Sequence, residues 1–173
     1  MMKSLSGVKV AILIANGFDE ADMTATQRAL AAAGAHARII SPEPGLVNSW
    51  TGEGWGHHFA IDAQLNTALG ADYALLVIPG GTRSIDKLRL TAHTKRFIGG
   101  FMAANKPIAV YGSALPIMVH TEALSEVGAI EDQVSIDGNI MAGKCESTED
   151  KKAFAGQIAD FYVSMQSPVK QAA

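Results

Sequence analysis

Apolar residues are arranged along the chain in two distinct patterns. Residues 8–14 form a continuous apolar run rich in branched side chains, which is typical of a strand covered on both faces. Between 19 and 33 the apolar residues recur at helical spacing, behind Asp19 as a candidate helix cap, and Gly34 ends this segment. Residues 37–40 form a second apolar run. The pattern therefore predicts a strand, a helix and a strand in succession, which is a βαβ unit.

The remaining apolar runs predict further strands. Residues 73–79 and 108–111 have the composition of short buried strands, and 134–142 have the turn residues of a hairpin. Residues 42–56 are rich in glycine and contain two prolines, so we predict a loop there. Residues 57–62 are predicted to form a short edge strand.

Helical periodicity returns in three later segments. We predict helices at 91–104 and 115–120, and a last helix that Ser147 caps and Pro168 ends. The inner face of this last helix is predicted to carry Phe154, Ile158, Phe161 and Met165. Strands that alternate with helices and are buried on both faces predict an α/β fold, a three-layer α/β/α sandwich around a mostly parallel sheet.

Composition narrows the class of protein. The 173 residues suggest a single domain spanning 1–173, with a loose tail at about 167–173. The net charge of -3, without a long run of basic residues, argues against a nucleic-acid partner. The apolar runs are too short to cross a membrane. The single cysteine, Cys145, excludes an internal disulfide and favours a reducing compartment, so we expect a cytoplasmic protein.

Three strand ends are the candidate site. Ligands of parallel α/β sheets bind at the carboxyl ends of the strands, which here are residues 15–17, 79–81 and 111–113. The last of these resembles the strand-to-helix corner that presents the nucleophile in many α/β enzymes.

Four segments in order along the chain resemble one known family. They are VAILIANGFDEADM, ADYALLVIPGG, NKPIAVYGSA and DGNIMAG. Together they are similar to the ThiJ/PfpI superfamily, the group that includes Parkinson disease protein 7, among the class I glutamine amidotransferase-like folds. The resemblance covers nearly the whole chain. It implies a flavodoxin-like sandwich and a homodimer.

The same resemblance gives five residues a counterpart in the family's active site. One of these counterparts, the cysteine nucleophile, is missing from this chain. The cysteine nucleophile of active family members falls on Gly112, and the residue after it is Ser113. The glutamate that hydrogen-bonds that cysteine falls on Asp22. The glycine pair that can supply oxyanion-hole amides is Gly80 and Gly81. The resemblance thus implies a remnant pocket that lacks its reacting atom.

A narrower resemblance suggests what such a chain does. The segment NGFDEAD, the HHF before the predicted strand at residues 73–79, and KPIA followed shortly by glycine look similar to the C-terminal domain of large-subunit catalases, which also lacks the nucleophile. This implies a non-catalytic domain with a stabilising, chaperone-like or ligand-sensing stress role. The alternative is a hydrolase, amidase or glyoxalase-type enzyme that uses Ser113 or a bound water. A third hypothesis is a binder of a small anionic or polar ligand at Asp22, Gly80 and Gly81.

The residues themselves favour the first hypothesis. An elbow nucleophile requires a strained backbone, which Gly112 adopts without cost, relaxing the turn or leaving room for a ligand. Ser113 lies one residue past the corner, so we expect its hydroxyl to point away and to cap the next helix. Asp22 is equally consistent with ligand binding and with a first-turn acid that favours the helix dipole. Beside it, Asp19 is expected to be a cap and Glu20 a solvated acid.

The other reactive residue types carry weaker signals. His57 and His58 are adjacent in a predicted strand and so point to opposite faces, which argues against a shared metal. Cys145 is expected to be a partly buried thiol away from the elbow. Trp50 and Trp55 are equally consistent with core filling and with a subunit contact. We expect no metal and no cofactor.

Overall fold

The computed structural model describes residues 4–124 and 134–166. This part of the chain contains ten strands and five helices. The strands are β1 (Lys9–Leu13), β2 (Phe18–Asp19), β3 (His36–Ser41), β4 (Leu46–Trp50), β5 (Trp55–Ala60), β6 (Ala63–Gln64), β7 (Leu75–Ile78), β8 (Ile108–Tyr111), β9 (Ser135–Asp137) and β10 (Ile140–Gly143). The helices are α1 (Glu20–Ala32), α2 (Thr82–Leu88), α3 (Ala92–Ala103), α4 (Leu115–His120) and α5 (Thr148–Gln166).

Seven strands form the central sheet in the order β6-β3-β1-β7-β8-β10-β9. Each neighbouring pair is parallel except β10 and β9, which form the predicted hairpin. The predicted α/β fold with a mostly parallel sheet is confirmed. The parallel arrangement brings the carboxyl ends of β1, β7 and β8 side by side, as a site at strand ends requires.

The sheet separates two apolar layers. Along β1, Val10 and Ile12 pack with the α1 and α5 side chains, whereas Ala11 and Leu13 pack with side chains of α2, α3 and α4. This alternation follows from the pleat, which directs successive side chains to opposite faces. Both faces are therefore covered by helices, and the three-layer arrangement is confirmed.

Several predicted helix boundaries are confirmed. The Asp19 carboxylate accepts a 2.9 Å hydrogen bond from the Asp22 amide and caps α1. Gly34 follows the helix at a φ of 82°. The Ser147 hydroxyl accepts from the Asp150 amide at 3.1 Å, at the start of α5. Pro168 and the tail lie outside the described residues.

Two predictions of local structure are wrong. Residues 42–56 are not a simple loop, because β4 and β5 pair as an antiparallel hairpin, to which β2 adds a third strand. Only Val47 and Ser49 of β4 are buried, and one of the two is polar, so the strand lacks a clear apolar alternation. Helix α2 was missed, although Ser84, Ile85 and Leu88 have helical spacing and are buried.

Among the described residues, no helix is long and apolar enough to cross a membrane.

Candidate functional site

The structure brings together the strand ends that the sequence singled out. The Gly80 amide donates a 2.8 Å hydrogen bond to Asp22 Oδ2, and the Gly81 amide donates a 3.2 Å hydrogen bond to Ser113 Oγ. The Asp19 amide donates to the Gly80 carbonyl at 2.9 Å. The start of α1, the end of β7 and the turn after β8 therefore form one cluster.

Asp22 is a buried acid with two kinds of partner. Its accessible fraction is 2%, and besides the Gly80 amide it faces Lys151, whose Nζ lies 3.3 Å from Oδ1. Burial, followed by the negative charge of Asp19, raises the pKa of Asp22 to about 6 against the opposing effects of Lys151 and the Gly80 amide. Asp22 is therefore more than a first-turn acid at a helix start.

Lys151 was missed by the sequence analysis. Its Nζ also lies 2.9 Å from Asp19 Oδ1, so one ammonium group joins the cap of α1, Asp19, and the first-turn acid Asp22 to the first turn of α5. The Asp19–Lys151 contact spans 132 positions of the chain, and no motif surrounds Lys151. Only the packing of α5 against α1 places it there.

The prediction for Ser113 is wrong. Its hydroxyl does not point away, because it accepts the Gly81 hydrogen bond, and a Cβ added to Gly80 would lie 1.9 Å from its Oγ. Nor does Ser113 cap the next helix, since α4 has no side-chain cap. A 3-10 turn, Gly112–Ala114, separates β8 from α4 and has a tighter rotation per residue than an α-helix. This turn directs Ser113 back toward β7.

Two of the expectations for Gly112 are also wrong, that of a strained elbow backbone and that of room for a ligand. Gly112 is not among the residues with positive φ, so the turn does not require the left-handed backbone that we expected at the elbow. The space above it is not free, because a Cβ there would lie 2.7 Å from the Gly143 carbonyl oxygen. The parallel pairing of β8 with β10 sets Gly143 opposite Tyr111 and brings this carbonyl to the elbow.

Cys145 lies at the elbow, not away from it as predicted. A Cβ added to Gly112 would lie 3.8 Å from the Cys145 backbone nitrogen, so the two residues are neighbours. Burial raises the pKa of the thiol to about 12, and the charge of Asp22 acts in the same direction. The thiol is therefore held in its protonated form at neutral pH.

Glu20 is not the solvated acid that we predicted. Its Oε1 accepts from Ser49 Oγ at 2.7 Å and from the His57 amide at 2.9 Å, and it lies 2.9 Å from His57 Nδ1. These hydrogen bonds, that of Ser49 first, lower the pKa of Glu20 to about 2. The carboxylate thereby links the β4–β5 hairpin to the start of α1 by hydrogen bonds.

No group of three or more metal-ligating side chains occurs in 4–124 or 134–166.

The two tryptophans do not fill the core. Trp55 is 54% exposed, and its ring meets that of Trp50 edge-on at 5.3 Å. The Arg83 guanidinium lies 4.3 Å above the Trp50 ring, a cation–π contact. The prediction of a subunit contact for these residues stays a prediction.

The backbone amides of the glycine pair after β7 are engaged by the chain's own side chains. The amides of Gly80 and Gly81 donate to Asp22 and Ser113, respectively. An oxyanion hole needs amides that point at the reacting oxygen of a substrate. In this arrangement those donors are already satisfied.

Comparison with known proteins agrees with this architecture. The DJ-1/PfpI family profile matches residues 8–129. General stress protein 18 of Bacillus subtilis (strain 168) is 26% identical over 118 residues, which are 68% of this chain and 67% of that protein.

Solved structures with this fold include several members of the same group. A DJ-1 superfamily protein from Salmonella typhimurium has a TM-score of 0.75 and 23% identity, covering 96% of each chain. The oxidized DJ-1 of Toxoplasma gondii has a TM-score of 0.74 and 18% identity, covering 92% of this chain and 98% of its own. A two-domain protein from Anabaena variabilis, containing DJ-1/ThiJ/PfpI-like and ferritin-like domains, has a TM-score of 0.78 and 19% identity over 88% of this chain. This chain spans about half of it, 47%.

Proposed function

Because the chain belongs to the DJ-1/PfpI family, we propose that it is a non-catalytic member with a stabilising, chaperone-like or ligand-sensing role under stress. The similarity to a protein named general stress protein 18 supports the link to stress. The role itself follows from the narrower resemblance to the C-terminal domains of large catalases, which stays a prediction.

One observation carries the proposal. The amides of Gly80 and Gly81, which would stabilise a developing oxyanion, are bonded to Asp22 and Ser113. A substrate oxygen would have to displace both side chains before it gained those two hydrogen bonds. At Gly112 there is no side chain to attack, and a Cβ there would lie only 2.7 Å from the Gly143 carbonyl oxygen. These contacts support a pocket whose donors are already bound by the chain's own side chains and which has no nucleophile at the elbow.

The partners and compartment of the proposal come from the sequence. We propose a cytoplasmic homodimer without nucleic-acid or membrane partners. A small anionic or polar ligand at the Gly80–Gly81 amides would compete with Asp22 and Ser113, so a weak interaction is expected there. Sedimentation analysis of the purified chain tests the dimer directly.

A second candidate function rests on the orientation of Ser113. Its hydroxyl and the Asp22 carboxylate converge on the space in front of Gly80, where an added Cβ would lie 1.9 Å and 2.9 Å from their respective oxygens. An acid with a pKa of about 6 has the strength of a useful general base at neutral pH. A hydrolase, amidase or glyoxalase-type enzyme would use Ser113 Oγ as nucleophile and pass its proton to Asp22.

Turnover and aggregation assays separate the two functions. Wild type, Ser113→Ala and Ser135→Ala are compared with methylglyoxal, an ester and a peptide as substrates. Ser135 is an exposed serine on β9 and serves as the matched control. We expect no turnover above the uncatalysed rate and equal suppression of the aggregation of a heat-denatured client by all three proteins. Turnover that Ser113→Ala abolishes and Ser135→Ala retains would overturn the non-catalytic proposal.

A further inference from the structure

Arg83 is stacked on the two tryptophans at the tip of the β4–β5 hairpin. Its guanidinium carbon lies 4.3 Å from the centroid of the Trp50 ring and 5.7 Å from that of Trp55. The two tryptophans are paired across the strands, and their rings meet edge-on. Trp55 and Arg83 are both exposed. The three side chains therefore form an aromatic and cationic patch open to solvent, which we call the Trp–Arg surface.

The path of the Arg83 side chain depends on Gly17, in the turn after β1. Gly17 has a φ of 94°, and a Cβ there would lie 2.3 Å from Arg83 Cβ and 3.1 Å from Arg83 Cδ. A residue without a side chain leaves room for the aliphatic part of Arg83 to cross the strand end. The Gly17 carbonyl oxygen lies 2.6 Å from the position that a Cβ of Gly81 would take. The Trp–Arg surface thus adjoins the elbow, at the edge of the sheet where ligands of parallel α/β folds bind.

The hydrogen-bond donors of the Arg83 guanidinium are uncommitted. Within the described part of the chain, Arg83 takes part in no ion pair and its side chain donates no hydrogen bond. By contrast, Lys87, one turn further along α2, is paired with Glu43 at 3.3 Å. Stacking on a ring covers the face of a guanidinium and leaves the N–H groups at its edge directed outward. A guanidinium held in this way can bind a carboxylate through two parallel hydrogen bonds.

We propose that the Trp–Arg surface binds a small aromatic carboxylate, with its carboxylate at the edge of the Arg83 guanidinium and its ring against Trp55. The free donors complement the negative charge, and the ring covers apolar surface of Trp55 that is otherwise in contact with water. A stacking contact that only held α2 against the hairpin would be complete without an anion, so binding separates the two roles. The proposal concerns a surface outside the elbow and does not depend on whether the elbow is catalytic.

Hydrocinnamate, a phenyl ring joined to propionate, is the probe. Trp50 and Trp55 are the only tryptophans of the chain, so the tryptophan emission of the wild type reports on this surface alone. Titration is expected to change that emission saturably. Calorimetry should give one hydrocinnamate per chain, and the melting temperature should rise. Phenylpropanol, which has the ring without the charge, and propionate, which has the charge without the ring, are each expected to bind at least about tenfold more weakly.

Variants of Arg83 test the charge and its geometry. Arg83→Gln is expected to weaken hydrocinnamate binding about tenfold or more. Arg83→Lys keeps a cation beside the rings but loses the planar fork, so binding should fall about threefold or more. Arg89→Gln removes the same charge from the end of the same helix, where Arg89 lies 4.0 Å from Asp86, and should leave binding unchanged. Circular dichroism verifies that each variant is folded.

A second pair of variants tests the aromatic half of the surface. Trp55→Ala is expected to weaken hydrocinnamate binding about tenfold, as calorimetry measures, and to leave the weak binding of propionate unchanged. Leu69→Ala is the matched control, because Leu69 is 55% exposed and Trp55 is 54% exposed. It should bind hydrocinnamate as the wild type does.

Three results would overturn the proposal. The first is the absence of a saturable change in tryptophan emission when hydrocinnamate is added to the wild type. The second is equal binding of hydrocinnamate by the wild type and Arg83→Gln, or equal binding of hydrocinnamate and phenylpropanol by the wild type. The third is an emission that changes on dilution of the protein and does not respond to hydrocinnamate, which would assign the Trp–Arg surface to a second copy of the chain.

Discussion

The carboxylate of Asp22 and the backbone amide of Gly80 are joined by a buried 2.8 Å hydrogen bond that links the first turn of α1 to the end of β7. The same carboxylate faces Lys151 of α5 at 3.3 Å. One acid therefore connects the two helices on one face of the sheet to the strand end at its centre. Because this acid is buried, its protonation affects the stability of the fold.

Ionisation of Asp22 is expected to weaken the fold. Burial raises its pKa from 3.8 to about 6, so between these values the folded chain retains a proton that the unfolded chain has released. Stability therefore falls as the pH rises through this window, by up to about 3 kcal/mol. Urea unfolding of wild type and Asp22→Asn from pH 4 to pH 8 should show the variant gaining stability relative to the wild type. Asp86→Asn, at an exposed acid, is the control, and a constant difference between Asp22→Asn and the wild type would refute the expectation.

Gly80 and Ser113 are expected to be energetically coupled. A Cβ on Gly80 would lie 1.9 Å from Ser113 Oγ, so Gly80→Ala must displace that hydroxyl and is expected to destabilise by about 1–3 kcal/mol. In a Ser113→Ala background the hydroxyl is absent, and the cost of Gly80→Ala should be smaller. A double-mutant cycle in urea measures the difference. Additive effects of the two substitutions would place the Ser113 side chain elsewhere.

Much of the fold follows from the sequence because its signals are local or topological. The composition of residues 8–14 alone predicts a buried strand. The Asp19 cap is predicted by its position three residues before Asp22, whose amide it accepts from. The convergence of Asp22 with the glycine pair after β7 follows from parallel strands, whose carboxyl ends meet at one edge.

The chemistry of the site was harder to predict because it depends on distant backbone. The direction of the Ser113 side chain is set by a single 3-10 turn. A different rotation per residue in this turn would point the hydroxyl away from β7. The carbonyl that blocks Gly112 belongs to Gly143, and the register of β8 with β10 brings it there. Cys145 reaches the elbow for the same reason. No pattern of residue types near position 112 reports on that pairing.

Glu20 is expected to hold the β4–β5 hairpin in place above about pH 4.5 and to release it toward pH 2. Its pKa is lowered from 4.5 to about 2, so the stability that it contributes is lost as the pH falls through this range. Its partner His57 is 84% exposed, which limits the contribution to less than about 1 kcal/mol. Amide hydrogen exchange is the sensitive measurement. Glu20→Gln should accelerate exchange of the His57 amide and leave β7 amides unchanged, whereas unchanged exchange at His57 would contradict this role.

Cys145 is expected to react slowly although it is the only cysteine and is partly exposed. Burial raises the pKa of its thiol to about 12, so very little nucleophilic thiolate exists at pH 8. Iodoacetamide should modify the folded chain far more slowly than the urea-unfolded chain, as mass spectrometry measures. Equal rates in the two states would show that Cys145 is not shielded.

Restoring a cysteine at Gly112 is expected to fail as a route to activity. A side chain there must displace the backbone carbonyl of Gly143, which lies 2.7 Å from the required Cβ, so Gly112→Ala should destabilise by about 1–3 kcal/mol. Gly99→Ala, in open space on α3, is the control and should stabilise by about 0.5–1 kcal/mol. Gly112→Cys should show no gain of esterase or methylglyoxal turnover and a melting temperature below that of the wild type. A stable Gly112→Cys protein whose new thiol alkylates faster than Cys145 would show that the elbow is open and that only the missing sulfur separates this chain from a catalyst.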